Sequence, residues 1–252
     1  MENKRLKQKI IKNMIRAIKQ YNMIEEGDTI AIGVSGGKDS LVLLDCLATI
    51  KSYRKVDFNL IAITINQGFP DGSFDKVKEL TQKLNIPYYI YDTDIFEIIF
   101  NVRKEKNPCS LCAKMRRGAL CDKAKELGAN KIALGHHADD MVETFLMSFI
   151  YEGRLSTFMP VTHMSRTKIT AIRPMMLVSE KDISCYSKEL PIVHNPCPAD
   201  KHTTREYVKD ILKGIKKEVK ISEANMLNAL THPERYNLLD KMQAYQIEET
   251  EE

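Results

Sequence analysis

Ile32-Gly33-Val34-Ser35-Gly36-Gly37-Lys38-Asp39-Ser40 joins a short apolar run, Thr29 to Val34, to a helical pattern, Asp39 to Ile50. A glycine pair lets backbone N–H groups approach a ligand closely, and the helix that follows offers its positive N-terminal end. Ser35 and Ser40 add hydroxyls and Lys38 adds a cation, so the whole string makes an oxyanion cradle. It is not a Walker A loop, which would need Gly at position 32 and a hydroxyl at 39, where this chain has Ile32 and Asp39. A carboxylate beside bound phosphates is repelled unless a cation such as Mg²⁺ lies between them, which makes Asp39 informative. A plain turn with Asp39 as helix N-cap explains that residue alone and leaves the rest of the string unused.

Working outward, short apolar runs alternate with helical periodicity. Strands are expected over Leu60 to Ile65, Tyr88 to Asp92, Lys131 to Gly135 and Lys168 to Arg173. Helices are expected over Ser73 to Leu84, Ser110 to Leu127 and Asp139 to Tyr151. This alternation implies an α/β fold, a parallel sheet with helices on both faces, in which ligands bind at the carboxyl ends of the strands. Leu6, Ile10, Ile11, Met14, Ile15 and Ile18 give the N-terminus an amphipathic helix, and from Ser179 onward the pattern is helical again. The expected division is a basic N-terminal helix over 1–26, a nucleotide-binding domain over 27–178, a helical C-terminal extension over 179–247 and an acidic tail over 248–252.

The chain has 252 residues, enough to bury a full core, and its composition excludes collagen-like and disordered classes. Its net charge of +4 conceals an asymmetry, because four of its 34 acids sit in the last five residues. The first 20 residues carry seven basic side chains and no unbroken apolar run, so they form neither signal peptide nor membrane span. A cytoplasmic protein without membrane association is expected. Six cysteines are too few for a disulfide scaffold, and in a reducing compartment grouped cysteines point to metal or redox chemistry.

Only Cys109 and Cys112 are grouped, in Pro108-Cys109-Ser110-Leu111-Cys112, at the start of a predicted helix. Helix N-terminus and the nearby Lys114, Arg116 and Arg117 favour thiolates able to share a metal. Thioredoxin-type exchange competes, although that motif follows the first strand of a much smaller domain. A third thiol, Cys197 in His194-Asn195-Pro196-Cys197-Pro198, lies in a proline-bracketed loop, and Cys185 is the alternative to it. Cys46 lies in an apolar run. Cys121 is nine residues beyond Cys112, about 13 Å along a helix, too far to share its site.

The glycine string resembles the pyrophosphate-binding loop of the N-type ATP pyrophosphatases, enzymes that adenylylate a carbonyl oxygen. Leu134-Gly135-His136-His137-Ala138-Asp139-Asp140 is similar to the Gly-His-His-x-Asp-Asp segment of the branch that modifies tRNA bases. Together with the cysteines, in this order, the chain resembles the tRNA 2-thiocytidine synthetase family of that PP-loop superfamily. The family pattern has Cys-Gly-Ser at the third cysteine, where this chain has Cys197-Pro198-Ala199-Asp200.

The resemblance implies the adenine nucleotide alpha hydrolase-like fold and an ATP-dependent sulfurtransferase using ATP, Mg²⁺ and a [4Fe–4S] cluster. Cys109, Cys112 and Cys197 would ligate the cluster, leaving one iron open for an exogenous sulfur. Ser35, Gly36, Gly37, Lys38, Asp39, Ser40, Ile63, Ile65, Gly135 and His136 would hold ATP. Lys38, Asp39, Arg116 and Asp140 would serve catalysis: Lys38 neutralising phosphate, Asp39 placing Mg²⁺, Asp140 making a second Mg²⁺ or base contact, Arg116 polarising base or phosphate. The implied partners are tRNA and a sulfur donor, sulfide or the persulfide of a cysteine desulfurase.

Lys201, Arg205, Lys209 and Lys213 recur at helical spacing after Cys197 and are expected to grip tRNA phosphates, although a solvated charged face has the same spacing. The apolar face of the N-terminal helix suits either a homodimer or packing on its own domain. Two rivals remain open: an ATP-dependent enzyme of 2-thiouridine or lysidine type, and a non-catalytic RNA-binding protein that holds metal and nucleotide.

Overall fold

The computed structural model describes residues 2–69, 73–105, 108–193, 197 and 204–236. Its centre is a six-stranded sheet in the order β3-β2-β1-β4-β6-β5. The strands are β1 (Thr29–Gly33), β2 (Asn59–Asn66), β3 (Tyr88–Asp92), β4 (Lys131–Ala133), β5 (Val161–Met164) and β6 (Ile169–Ile172). All pairs are parallel except β5 with β6, which run antiparallel. Residues 30–32 of β1 and 60–63 of β2 are buried, as expected of strands covered on both faces, whereas edge strand β3 exposes Tyr89, Ile90 and Tyr91. Chain order reverses between β1 and β4, where Ile32 pairs with Ala133, and such a switch point leaves a crevice at the strand ends.

The helices are α1 (Glu2–Gln20), α2 (Lys38–Ser52), α3 (Asp75–Lys83), α4 (Pro108–Glu126), α5 (Ala138–Glu152), α6 (Glu180–Tyr186), α7 (Thr204–Glu218) and α8 (Ser222–Thr231). Proline is well tolerated at the first position of a helix, and Pro108 starts α4 two residues before the sequence pattern predicts. The α1 face of Ile10, Ile11, Met14 and Ala17 joins the core formed with α2, the sheet and α6. Ion pairs from Lys7 to Asp45 and from Lys9 to Asp182, both 2.7 Å, clamp the same helix. That face is therefore covered by the chain's own elements and supplies no argument for a dimer. The core crosses the boundaries at 26/27 and 178/179, which mark changes in sequence pattern.

Two elements escape the sequence pattern. Strand β5 is a half-buried edge without clear alternation. Residues Glu97–Val102 form a π-helical turn, beside which the Phe96 ring packs at a tilt against Phe69 and Phe100, at centroid distances of 4.9 and 5.3 Å. Among the described residues no helix is long and apolar enough to cross a membrane.

Candidate nucleotide and thiol site

The glycine loop leaves the carboxyl end of β1 and enters α2. Gly36 has φ +82, a left-handed conformation that favours glycine, and Gly37 takes the N-cap position. The serines stiffen the loop from within. Ser40 Oγ donates to the Gly37 carbonyl (2.9 Å) and accepts from the Ser35 N–H (3.2 Å), while Ser35 Oγ accepts from the Gly37 N–H (3.3 Å). Gly135 lies against the same turn: a Cβ there would come within 3.3 Å of backbone atoms of Asp39 and Ser40. Glycine at 135 thus lets the end of β4 close on the loop.

Lys38 Nζ spans two carboxylates, Asp39 Oδ1 at 2.9 Å and Glu180 Oε1 at 3.1 Å. Burial works against its charge, but the two carboxylates prevail and raise its pKa. Glu180 is held below the usual carboxylate range: burial pushes it up and Lys38 outweighs that. Asp139 Oδ2 accepts the Glu180 N–H at 2.6 Å, which ties the start of α6 to the start of α5.

Beside the loop, a cavity of about 220 Å³ is lined by Gly33, Val34, Ser35, Ile63, Ile65, Gln67, Ala113, Arg116, Arg117, Leu120, Leu134 and His136. It lies at the ends of β1, β2 and β4, with α4 as its far wall. Of the residues predicted for ATP, Ser35, Ile63, Ile65 and His136 line it, and Gly36 to Ser40 form the adjoining loop. Two buried nitrogens on residues lining it, Arg116 Nε and His136 Nδ1, have no hydrogen-bond partner among the described residues. Buried donors and acceptors are normally paired, so a polar ligand would complete both. Burial and then the Arg173 charge push the His136 imidazole down to about 4.

Cys109 and Cys112 occupy the first two turns of α4, three residues apart on one face. Cys112 Sγ donates to Gln67 Oε1 at 3.2 Å and also hydrogen-bonds Arg116, which reaches back one turn. Burial raises the Cys112 thiol; Arg116 opposes, and the Cys197 and Cys109 sulfurs push it up further. Repulsion of that kind acts only at short range, so Cys112 lies within electrostatic reach of both Cys109 and Cys197, although 85 residues separate Cys112 from Cys197. Cys185 is exposed on α6 and has no part in this interaction. Among the described residues no three His, Cys, Asp or Glu side chains converge on a single-ion position. A multi-iron cluster differs from a single ion in spreading its thiolates over separate irons, so three neighbouring thiols with an arginine beside them suit it in donor chemistry.

Two sets of expected site residues have partners within the chain itself. Asp140 is engaged as a structural cap: its Oδ2 accepts the His137 N–H at 3.0 Å, in a capping box, and its Oδ1 takes Arg205 at 2.8 Å. Both oxygens thus have partners within the chain, Oδ2 at the N-cap of α5 and Oδ1 on α7. Arg205 is correspondingly committed to Asp140 and to Glu143, whose side chain is 4% exposed, at 3.1 Å. The rest of the basic stripe is compensated too. Lys209 lies 3.9 Å from Glu143 and Lys213 lies 2.8 Å from Asp210, while Lys201 is outside the described residues. Gln67 and Glu180 are the residues that sequence reasoning missed. Only the position of Gln67, the first residue beyond β2, could have signalled it.

A family model described as the PP-loop domain matches residues 6–215. A tRNA-cytidine(32) 2-sulfurtransferase of Pelobacter propionicus is 37% identical over 231 residues, 90% of this chain and 86% of that one. One from Anaeromyxobacter dehalogenans is 34% identical over 94% of this chain and 83% of its own length. Among solved structures, the U34-tRNA thiolase of Methanococcus maripaludis with its [4Fe-4S] cluster is similar at TM-score 0.71 and 25% identity, over 93% of this chain and 82% of that chain.

Proposed function

The chain belongs to the PP-loop family, among relatives named tRNA-cytidine(32) 2-sulfurtransferases, and from that membership we propose that it is an ATP-dependent tRNA thiolase acting on cytidine 32. One observation carries the reading in this chain: α4 presents Cys109 and Cys112 at its start and, one turn later, Arg116 in the wall of the nucleotide cavity. A sulfur site and a nucleotide site that share a helix suit a reaction in which activation and substitution occur at one carbon.

A ring carbonyl oxygen is a poor leaving group, and AMP is a good one. The C2 oxygen of the base attacks the α-phosphorus, the α–β phosphoanhydride bond breaks and pyrophosphate departs. A sulfur nucleophile then adds to C2 and the C2–O bond breaks to release AMP, leaving C=S where C=O stood. With sulfide as donor the exchange needs no electrons; a cysteine desulfurase persulfide would need two from a reductant. Backbone N–H groups of Gly36 and Gly37 and the N-terminus of α2 would stabilise the charge on pyrophosphate. Lys38 would turn from Glu180 toward phosphate, releasing Asp39 to hold Mg²⁺. Ile63 and Ile65 would flank adenine, His136 would stay neutral against the nucleotide, and Arg116 would polarise the base or the α-phosphate. Cys109, Cys112 and Cys197 would hold the [4Fe–4S] cluster, whose chemistry when bound is to offer an open iron position to the incoming sulfur. Such an enzyme works in the cytoplasm; a homodimer would have to use a surface other than the covered face of α1.

The test is anaerobic reconstitution with iron and sulfide, then incubation with tRNA, ATP and sulfide. Equimolar AMP, pyrophosphate and 2-thiocytidine are expected, read by nucleoside mass spectrometry. A protein that takes up no iron, or one that gives thiouridine or lysidine, would overturn the reading.

A further inference from the structure

Between α4 and the turn that joins β5 to β6 lies a second groove, of about 560 Å³. Ser110, Lys114, Arg117, Met164 and Arg166 line it. We propose that this groove binds the phosphodiester backbone of the RNA substrate, with Lys114, Arg117 and Arg166 as its cations. The proposal rests on the thiolase reading and extends it to where the polynucleotide lies.

The charge balance separates this groove from the α7 stripe. Lys114, Arg117 and Arg166 are exposed, and among the described residues none of them forms an ion pair. Arg205, Lys209, Lys213 and Lys216 all face carboxylates of this chain. A phosphate gains most from cations whose charge is not already compensated, because each such contact releases a condensed counterion from the nucleic acid.

Spacing and continuity point the same way. Lys114 and Arg117 stand three residues apart on one helix face, with about 5 to 6 Å between Cβ atoms, a separation that suits successive phosphates of one strand. Ala113 and Arg117 line both this groove and the nucleotide cavity. A strand held here therefore has its neighbouring base at the helix that carries Cys109, Cys112 and Arg116. The β5–β6 turn, absent from the sequence pattern, acquires a purpose as the outer wall that presents Arg166.

The experiment uses the full chain with Lys114→Glu, Arg166→Glu and the double variant, alongside the neutral pair Lys114→Gln and Arg166→Gln. Lys213→Glu tests the compensated stripe. Binding of unmodified tRNA is measured from 50 to 200 mM salt, with ATP affinity and reconstituted iron content measured on the same samples. The double charge reversal should weaken tRNA binding at least tenfold at the lower salt. It should also reduce the slope of log K against log salt by about 1.5, at roughly 0.7 to 0.9 per lost phosphate contact. ATP affinity should stay at the wild-type level, Arg166→Glu alone should also keep wild-type iron content, the neutral pair should fall between in tRNA binding, and Lys213→Glu should bind like wild type. Wild-type binding and slope in the double variant would overturn the groove alone. So would normal tRNA binding with lost sulfur transfer, because that result assigns the groove to a protein donor. Failure of the wild-type protein to bind tRNA would overturn the thiolase reading itself, and the groove with it.

Discussion

Val193 donates its backbone N–H to the carbonyl of Gly36 at 2.9 Å, and its Cβ stands 2.8 Å from where a Cβ on Gly36 would lie. The phosphate loop is thus closed by the segment that leads, four residues later, to Cys197. At its other end that segment runs into α7, which Arg205 fastens to the start of α5. Along the chain, Cys197 thus falls between two anchored positions, Val193 on the glycine loop and Arg205 on α5.

Gly36→Ala strikes the first anchor twice, through its φ of +82 and through contact with Val193. The strain of a left-handed alanine is on the order of 1 to 3 kcal/mol. Urea unfolding should show a loss of that size, and ATP affinity should fall with it. Val193→Gly in the same chain should recover part of the loss and leave the dihedral strain. As a control, Gly214→Ala in α7, where a Cβ meets nothing within 4 Å, should be neutral or stabilising by roughly 0.5 to 1 kcal/mol.

Arg205→Gln tests the second anchor. It would leave Glu143, buried in α5, with only Lys209 at 3.9 Å. Breaking a fully buried pair costs about 3 to 5 kcal/mol, and the partial exposure of Arg205 brings the expectation to about 2. Adding Glu143→Gln should restore most of that stability in a double-mutant cycle. A residue that only gripped RNA would lose tRNA affinity with no change in the unfolding midpoint.

The glycine loop, the Cys-x-x-Cys pair and the alternation of strands with helices could be read from sequence because each depends on residues adjacent in the chain. Phosphate binding demands backbone N–H groups at a strand-to-helix turn, and that demand writes itself into Ser35 to Ser40. Glu180 could not be found this way: it meets Lys38 across 142 residues and no local spacing records the meeting. Asp140 is ambiguous in sequence for a related reason. A carboxylate three residues after an N-cap has the same sequence signature whether it caps a helix or holds a cation, and only the approach of Arg205 distinguishes the two. The basic stripe of α7 has perfect helical spacing, yet its role turns on Asp140 and Glu143 of α5 and on Asp210 of α7 itself.

His136 gives the pH dependence a sign. Burial, then Arg173, holds its folded pKa at about 4 against 6.5 for the ordinary imidazole. The folded state therefore binds fewer protons than the unfolded state between those values, and stability is lost as pH falls through that window. Between pH 7.5 and pH 5 this one group should withdraw about 2 kcal/mol, from roughly 1.4 kcal/mol per pH unit. Chemical unfolding at the two pH values should show it, and His136→Gln should flatten that part of the difference. An unchanged difference in the variant would place the titration elsewhere.

The thiols give the sharpest prediction, because the fold sorts six cysteines into distinct environments. Cys46 and Cys121 are buried, with Cys121 Sγ 3.7 Å from Met164 Sδ, and burial raises both thiols, Cys46 to about 12. Neither is placed to ligate. Cys185 is accessible but lies on α6, away from α4. Serine at Cys109, Cys112 or Cys197 should therefore abolish the reconstituted iron content and its absorbance. Serine at Cys185 should leave both intact, and Cys121→Ser should affect stability alone, as loss of a small core residue does. Iron retained by Cys197→Ser but lost by Cys185→Ser would transfer the third ligand to α6, and with it detach the ligand loop from the Val193 and Arg205 anchors.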